Sequence, residues 1–245
     1  MKKDLQSYKK HNLQYEEEVD SYNNNLQVMK KYKDEKMFKK LGFEYAIRLS
    51  NPLPETHIDV GSGNGWLANT TYPLFKKVIG IEPSEAIVVV ARQINKEHSN
   101  ISFINTDMID GLTQLQIKEP VFLTTGTVLN HIENYYVQNF LSIVNTLPIN
   151  STLYFEERYD TNIDWTMWHV RSKDWWIEKL PNWQLFFLNI DNCGYASGIF
   201  GVCVGSQNAL PSHTMNRGSL ILWKISLYKN IIKRVIKKVE RVLGV

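Results

Sequence analysis

The chain has 245 residues, of which 43% are hydrophobic and 22% charged, and its formal net charge at pH 7 is +3. That length suits one sizeable domain, and the small net charge gives no argument for a nucleic-acid partner, which needs a basic face. Two cysteines, Cys193 and Cys203, form no disulfide framework and no zinc site by themselves. The chain opens without the apolar run of a signal peptide and never reaches the roughly 18 apolar residues of a transmembrane helix, so we expect a cytoplasmic protein.

The first segment, residues 1–50, is polar, with Tyr and Leu side chains at loose helical spacing and lysines clustered between positions 31 and 40. This pattern is typical of a solvated pair of amphipathic helices. The alternative is a lid of helices over a ligand-binding cleft. The stretch Asn51-Pro52-Leu53-Pro54 then breaks the helical pattern before the first predicted strand.

The stretch from His57 to Ala68 combines a predicted buried strand with a glycine-rich turn and the start of a helix. Gly61, Gly63 and Gly65 stand at every second position after Asp59. Glycine lets the backbone turn sharply and lets a ligand approach closely, and the N-terminus of the next helix favours a polar or anionic ligand. A strand, such a turn and a helix open a nucleotide-type βαβ unit. The Gly-x-Gly-x-x-Gly spacing of a nicotinamide dehydrogenase is absent.

Three more predicted strands each lead to a polar residue at the carboxyl end: Val78–Glu82 to Glu82 itself, Ile101–Ile104 to Asp107, and Val121–Thr125 to His131. Glu82 lies 23 residues after Asp59, where an acid can accept hydrogen bonds from two ribose hydroxyls. Asp107 beside Met108 suits an adenine, because the carboxylate can accept from the amino group while the Met side chain covers a ring face.

The order of these four motifs resembles class I S-adenosylmethionine-dependent methyltransferases over roughly residues 40 to 208. The resemblance implies an α/β, Rossmann-like, doubly wound sheet of seven strands, mostly parallel with an antiparallel last strand, and helices at both ends. It implies S-adenosyl-L-methionine as the cofactor and S-adenosyl-L-homocysteine as its product. The cofactor-binding residues that it implies are Asp59, Gly61, Ser62, Gly63, Gly65, Glu82, Pro83, Asp107, Met108 and Thr125.

Helices are predicted at Trp66–Thr71, Glu85–Lys96, Asn134–Leu147 and Lys173–Leu180, with a loop or short helix at Gly111–Pro120. Ser84 and Ser172 are suitable N-caps for two of them. The later strands are predicted at Thr152–Phe155, Gln184–Ile190 and Ile199–Val204.

Two histidines are candidates for a catalytic base. Methyl transfer from a sulfonium is a direct displacement, so the protein must position the nucleophile and, for a hydroxyl, remove its proton. His131 lies just past the fourth strand, at the carboxyl edge where ligands bind. Its alternative role is to pack beneath the cofactor. His169, in an aromatic insert at 160–176, is the second candidate.

Residues that follow the fifth strand are candidates for binding the acceptor: Glu156, Tyr159, Trp168 and Arg171. Arg171 can pair with a phosphate or carboxylate group, and the aromatic rings can form an apolar wall. The alternative is that the tryptophans of the insert belong to the core. Glu156 and Glu157 lack a second ligand set with matching spacing, so no metal site is predicted.

The predicted function is methylation of a small molecule, most simply at oxygen. The organisation is similar to small methyltransferases of bacterial capsule and lipopolysaccharide pathways, which implies a sugar, a nucleotide sugar or a modified phosphate group as acceptor. The alternatives are N-methylation of a small metabolite and a non-catalytic methyltransferase-like assembly partner. A nucleic-acid substrate is disfavoured, because Thr124-Thr125-Gly126-Thr127 stands where amino methylases carry Asn/Asp-Pro-Pro-Tyr/Phe.

The methyltransferase domain is predicted to span 1–208, followed by a basic amphipathic tail at 209–245. Apolar residues from Ile221 to Val242 fall on one helical face, with basic residues over the remainder and a single acid, Glu240. Such a stripe can pack on the domain, form a dimer contact, or dock peripherally on the anionic inner surface of a membrane.

Overall fold

The computed structural model of the protein describes residues 42–44, 46–157, 159, 169–189, 197–205 and 213–215. The predicted lid helices lie almost entirely outside these residues, as do positions 160–168 of the aromatic insert, Cys193, and the tail apart from 213–215. Within the described ranges, no helix is long and apolar enough to cross a membrane.

Strands and helices alternate along the described chain. The strands are β1 (Thr56–Val60), β2 (Lys77–Glu82), β3 (Ile101–Asn105), β4 (Val121–Gly126), β5 (Thr152–Glu156), β6 (Trp183–Asn189), β7 (Ser197–Cys203) and β8 (His213–Met215). The helices are α1 (Trp66–Thr71), α2 (Glu85–Ile94), α3 (Met108–Leu115), α4 (Asn134–Val144) and α5 (Lys173–Lys179). Short 3-10 turns occupy Tyr72–Leu74 and Leu129–His131, and residues 42–44 and 46–49 are helical.

All described strands form one sheet in the order β3-β2-β1-β4-β5-β7-β6-β8. Strands β1 to β5 are parallel to one another, β7 is antiparallel to β5 and β6, and β8 is parallel to β6. The predicted Rossmann-like sheet is confirmed: its seven strands are β1 to β7, and β7 is the antiparallel one. The short β8 adds an eighth strand at 213–215, beyond the predicted domain boundary at 208.

The sheet is buried on both faces, as a parallel sheet with helical crossovers requires. One face packs against α1, α2 and the helical residues before β1, through a core that includes Phe43, Val88 and Phe122. The other packs against α3, α4 and α5, through a core that includes Phe140 and Trp176. Successive residues of each strand alternate between the two cores, because side chains of a strand point to opposite faces.

Helix α3 begins earlier than the sequence predicted. The Asp107 carboxylate accepts hydrogen bonds from the backbone N–H groups of Ile109 at 2.8 Å and Asp110 at 3.0 Å. Asp107 is therefore the N-cap and Met108 the first helical residue. The prediction of a loop or short helix at Gly111–Pro120 missed this start, although an N-cap Asp satisfying the amides of the first turn is a known signal.

The Phe103 ring of β3 sets the spacing between the glycine-rich turn and β2. A Cβ atom added at Gly80 would lie 2.5 Å from Phe103 Cδ1 and 2.6 Å from Ser62 Oγ, and one added at Gly65 would lie 2.5 Å from Phe103 Cζ. Glycine at both positions therefore leaves the space that the ring and the Ser62 hydroxyl fill.

The substitution Gly80→Ala should destabilise the protein by about 1–3 kcal/mol, because its methyl group overpacks this site. The free energy of unfolding from urea denaturation measures the effect. Gly126→Ala is the matched control, since a Cβ there meets no atom within 4 Å. We expect the control to change stability by less than about 0.5 kcal/mol. Equal stabilities of the two variants would contradict the packing described.

Candidate functional site

The carboxyl ends of β1, β2, β4 and β5 meet at one edge of the sheet. The strand order reverses between β1 and β4, which are neighbours although they are not consecutive in the chain. Ligands of open α/β sheets bind in the crevice at such a switch point. The residues that follow these strands are the ones that the sequence singled out, so the structure places the predicted cofactor and base residues along one edge.

The glycine-rich turn after β1 has a left-handed backbone at Gly61, Gly63 and Gly65, with φ of 69°, 51° and 76°. The N–H groups of Gly61 and Ser62 both donate to the Ile81 carbonyl, at 2.8 and 3.1 Å, which fastens the turn to β2. A Cβ at Gly61 would lie 2.3 Å from Val128 Cγ2. Glycine at position 61 therefore lets the segment after β4 close directly over the turn.

The carboxylate of Glu82 bridges the turn and the end of β2. Its Oε2 accepts from the Gly63 N–H and its Oε1 from the Ser84 N–H, each at 3.0 Å. The residue is only 5% exposed. A carboxylate has about four acceptor positions, so each oxygen can accept more than one hydrogen bond.

The remaining predicted cofactor residues differ in where their side chains lie. Ser62 is buried beside Gly80, beneath the turn, and its hydroxyl has no hydrogen-bond partner within the described chain. The Pro83 carbonyl accepts from Asn105 Nδ2 at 2.9 Å, which ties β3 to the end of β2. Met108 is 3% exposed and packs into the core. The carboxylate of Asp107 caps α3, as described above.

Asp59 is 3% exposed, and its Oδ1 accepts a hydrogen bond from Thr124 Oγ1 at 2.8 Å. Thr124 lies opposite Asp59 in the β1–β4 register. Thr124 also contacts His57 Nε2 at 2.8 Å. Neither Thr124 nor His57 was given a role from the sequence, because a polar residue in a predicted strand has no recognisable partner until the strands are paired.

The next residue of β4, Thr125, belongs to a different polar group on the opposite face. Its hydroxyl donates to Glu157 Oε1 at 3.2 Å, and the same carboxylate accepts the backbone N–H groups of Leu129 at 2.9 Å and Asn130 at 3.0 Å. Glu157 therefore holds the 3-10 turn that carries His131. Burial raises the pKa of Glu157 to about 7, opposed by these hydrogen bonds and by the charge of Arg171.

Arg171 binds backbone carbonyls of the same turn. Its NH1 donates to the Leu129 carbonyl at 2.8 Å and its NH2 to the Ile132 carbonyl at 2.6 Å. NH1 also donates to the His169 carbonyl, and Nε to Asn134 Oδ1. The residue is 3% exposed, and burial lowers its pKa to about 10, so the guanidinium stays charged at neutral pH. The structure thus shows Arg171 binding protein groups at this edge.

Both candidate bases lie at this edge. His131 is half-buried in the 3-10 turn. His169 is exposed, and its backbone N–H donates to the Asn130 carbonyl at 2.7 Å, which places the end of the insert beside that turn. The sequence predicted each histidine separately, and the fold brings them to adjoining segments.

The other predicted acceptor residues are distributed as follows. Glu156 ends β5 and is 7% exposed. The Tyr159 ring packs edge-on against Phe187, with 5.2 Å between ring centroids, and Tyr159 is 6% exposed. Trp168 lies outside the described residues. No group of three or more His, Cys, Asp or Glu residues in the described part of the chain is placed to hold a metal ion.

The backbone at Thr127 is strained. Its φ of 60° is in the left-handed region, where a β-branched residue is uncommon. Its N–H donates to the Glu156 carbonyl at 2.9 Å and its hydroxyl to the Gly126 carbonyl at 2.7 Å, and these bonds maintain the conformation. Strained residues of this kind cluster at functional sites, and this one lies between β4 and the turn that carries His131.

Comparison with known proteins shows which fold this chain shares. No protein-family model matches the chain, and no curated protein sequence matches it. Its sheet and helices are, however, similar to those of solved S-adenosylmethionine-dependent methyltransferases, so the chain has the fold of that class.

Three structures illustrate the similarity. A S-adenosylmethionine-dependent methyltransferase from Clostridium acetobutylicum ATCC 824 gives a TM-score of 0.57 at 12% identity, covering 78% of this chain and 99% of the other. Magnesium protoporphyrin IX methyltransferase (ChlM) from Synechocystis PCC 6803 with bound SAH gives 0.57 at 16% identity, covering 73% and 87%. A chain from the complex of the Haloferax volcanii Trm112 methyltransferase activator with a methyltransferase gives 0.53 at 16%, covering 70% and 93%. These similarities concern the fold, and they give the predicted resemblance to surface-glycan enzymes no support.

The raised pKa of Glu157 predicts a pH dependence of stability. Between pH 4.5, the ordinary pKa, and about pH 7, Glu157 keeps its proton in the native state but loses it in the unfolded state. Its contribution to the free energy of unfolding is therefore greatest below pH 4.5 and is lost as the pH rises to about 7. We expect the stability of the wild type relative to Glu157→Gln to fall by up to about 3 kcal/mol over this range.

Urea denaturation of both proteins at several pH values measures this difference. Glu133→Gln changes an exposed acid next to the same turn and serves as the matched control. A wild-type stability that rises relative to Glu157→Gln over the same range would show that Glu157 is held ionised.

Proposed function

We propose that the protein is an S-adenosylmethionine-dependent methyltransferase that acts on a small-molecule acceptor. The observation that carries the proposal is the Glu82 carboxylate, fixed by the N–H groups of Gly63 and Ser84 at the end of β2. This arrangement puts a buried acid beside a left-handed glycine turn at the switch point of the sheet. The fold shared with solved methyltransferases supports the same assignment.

The cofactor fits the residues present along this edge. Glu82 would accept hydrogen bonds from the ribose hydroxyls, and the glycine-rich turn with Asp59 would border the methionine part. Asp107, whose Oδ1 caps α3, retains Oδ2 for the adenine amino group. The cofactor supplies the activated methyl group, so the chain's own residues bind it, orient the acceptor and manage the acceptor's proton.

Oxygen is the proposed acceptor atom, and His131 is the proposed base. The turn that carries His131 is held by Glu157 on its amide side and by Arg171 on its carbonyl side. These bonds hold the backbone of the turn that carries His131, and proton transfer requires a base held in position. Because the Arg171 donors are engaged with protein groups, we assign Arg171 to holding the turn in preference to binding a phosphate.

The acceptor class is proposed as a sugar, a nucleotide sugar or a modified phosphate group of a bacterial capsule pathway, with an amine-bearing small metabolite as the alternative. Glu156 and Tyr159 are the proposed acceptor contacts among the described residues.

An assembly role without turnover is the second candidate, since one structural neighbour comes from a complex with a methyltransferase activator. Formation of S-adenosylhomocysteine with any acceptor separates the two. Peripheral membrane docking by the tail stays a prediction from the sequence.

Glu82→Ala should weaken binding of S-adenosylhomocysteine, because two hydrogen bonds to a charged acceptor are lost, each worth about 1.5–3 kcal/mol. Isothermal titration calorimetry measures the affinity. Glu119→Ala removes an exposed acid of the loop before β4 and is the matched control. A folded Glu82→Ala variant with wild-type affinity would remove Glu82 from the cofactor site.

His131→Ala should lower turnover by about 10²–10⁴-fold, because a positioned base is lost, while cofactor affinity barely changes. The assay follows S-adenosylhomocysteine formed with nucleotide-activated sugars or extracted glycan. His169→Ala ranks the second candidate by the same measurement. His98→Ala is the control, since this imidazole stacks on Tyr72 before β3, at the opposite edge. Full turnover by His131→Ala at saturating cofactor would assign His131 a structural role.

A further inference from the structure

A buried line of polar side chains connects α1 with Asp59. Thr71 Oγ1 of α1 lies 2.9 Å from His57 Nδ1, and His57 Nε2 lies 2.8 Å from Thr124 Oγ1. Thr124 Oγ1 in turn lies 2.8 Å from Asp59 Oδ1. All four side chains are at most 3% exposed. The line therefore runs from a crossover helix, through the centre of the sheet, to an acid at the proposed cofactor site.

The surroundings of His57 keep its ring neutral. The rings of Phe43, Phe75 and Phe122 lie 5.7, 5.1 and 5.7 Å from the His57 ring, between centroids. Burial lowers the pKa of His57 to about 3. A neutral imidazole has one N–H donor and one nitrogen that only accepts. The three contacts of the line must then be made with one proton from each threonine hydroxyl and the single ring N–H of His57.

With Asp59 ionised, one assignment of protons satisfies the three contacts of the line. Thr71 donates to Nδ1 of His57, the Nε2–H of His57 donates to Thr124, and Thr124 donates to the Asp59 carboxylate. Each contact then holds one proton, and every donor points towards Asp59. The Thr71 hydroxyl has a single proton, so in this arrangement that proton goes to His57 Nδ1 and not to the carbonyl of Leu67 or Ala68, which lie 2.9 and 3.3 Å from the hydroxyl. Both carbonyls keep a backbone N–H donor of the helix, from Thr71 and from Tyr72.

The opposite direction leaves a conflict. If Thr124 donated to His57 Nε2, no proton would lie between Thr124 Oγ1 and an ionised Asp59 at 2.8 Å. Two oxygen lone pairs at that distance repel each other, whereas Thr124 as the donor forms a hydrogen bond with Asp59 Oδ1. The direction towards Asp59 is therefore the one compatible with an ionised carboxylate.

We infer that His57 is a neutral Nε2–H tautomer and a positioning residue, which acts through Thr124 to orient the Asp59 carboxylate for the cofactor. The inference rests on the proposed cofactor site. Hydrogen bonds in a line polarise one another, so the whole line strengthens the donor that Asp59 receives. It also joins α1, which starts directly at the glycine-rich turn, to β4, which leads to His131.

The tautomer can be read without any cofactor. Two-bond ¹H–¹⁵N correlation spectra distinguish Nε2–H, Nδ1–H and imidazolium forms, and His57 is recognised by its absence in His57→Phe. We expect the Nε2–H pattern, unchanged between pH 5 and pH 8. An Nδ1–H tautomer or an imidazolium would overturn the direction of the line.

The positioning role is tested on binding of S-adenosylhomocysteine. Thr124→Val removes the hydroxyl at nearly constant volume and should weaken binding by about tenfold or more, whereas Thr124→Ser should stay within about threefold of the wild type. Thr152→Val is the matched control: this β5 threonine is 2% exposed, and its hydroxyl has no partner among the described residues.

The outcomes separate the two proposals. A wild-type protein that binds no cofactor overturns the proposed function together with the positioning role. A wild type that binds, with folded Thr124→Val binding equally well, overturns the positioning role alone. A decrease in Thr152→Val as large as that in Thr124→Val would also overturn it, because the effect would then follow from any lost buried hydroxyl.

Discussion

The candidate site depends on one carboxylate. Glu82 binds the Gly63 and Ser84 amides at the same time, so it joins the turn after β1 to the start of α2. Without it, two buried backbone donors would lose their acceptor, which costs about 1–3 kcal/mol for each group. The left-handed glycines make the turn possible, and the Glu82 carboxylate holds it in one position relative to β2.

Much of this arrangement could be predicted from the sequence, because local patterns encode it. Apolar runs predicted the strands β1 to β4, and the polar residue that follows each strand could be named as a site candidate from the sequence alone. Parallel strands bring those ends to one edge, so Asp59, Glu82 and His131 were expected together. Glycine spacing likewise indicated the turn, since few other residues adopt a positive φ.

The parts that could not be predicted are contacts between residues far apart in the chain. Arg171 and Glu157 reach the turn at Leu129–His131 from segments 42 and 27 or 28 residues away. The sequence shows a charged residue and not its partner, so Arg171 looked equally suited to an external phosphate. Asp107 shows a different limit: a capping acid and a ligand-binding acid have the same local sequence.

The two neighbouring threonines of β4 show how one strand organises both parts of the site. Because side chains alternate, Thr124 faces the core with α1 and contacts His57 and Asp59. Thr125 faces the opposite core and donates to Glu157, which holds the turn carrying His131. In the sequence, Thr124-Thr125 served only to disfavour a nucleic-acid substrate, because these residues stand where amino methylases carry Asn/Asp-Pro-Pro. In the structure, a shift of β4 by one residue would exchange these faces and break both polar groups together. The register of β4 against β1 therefore couples the proposed cofactor acid to the proposed base.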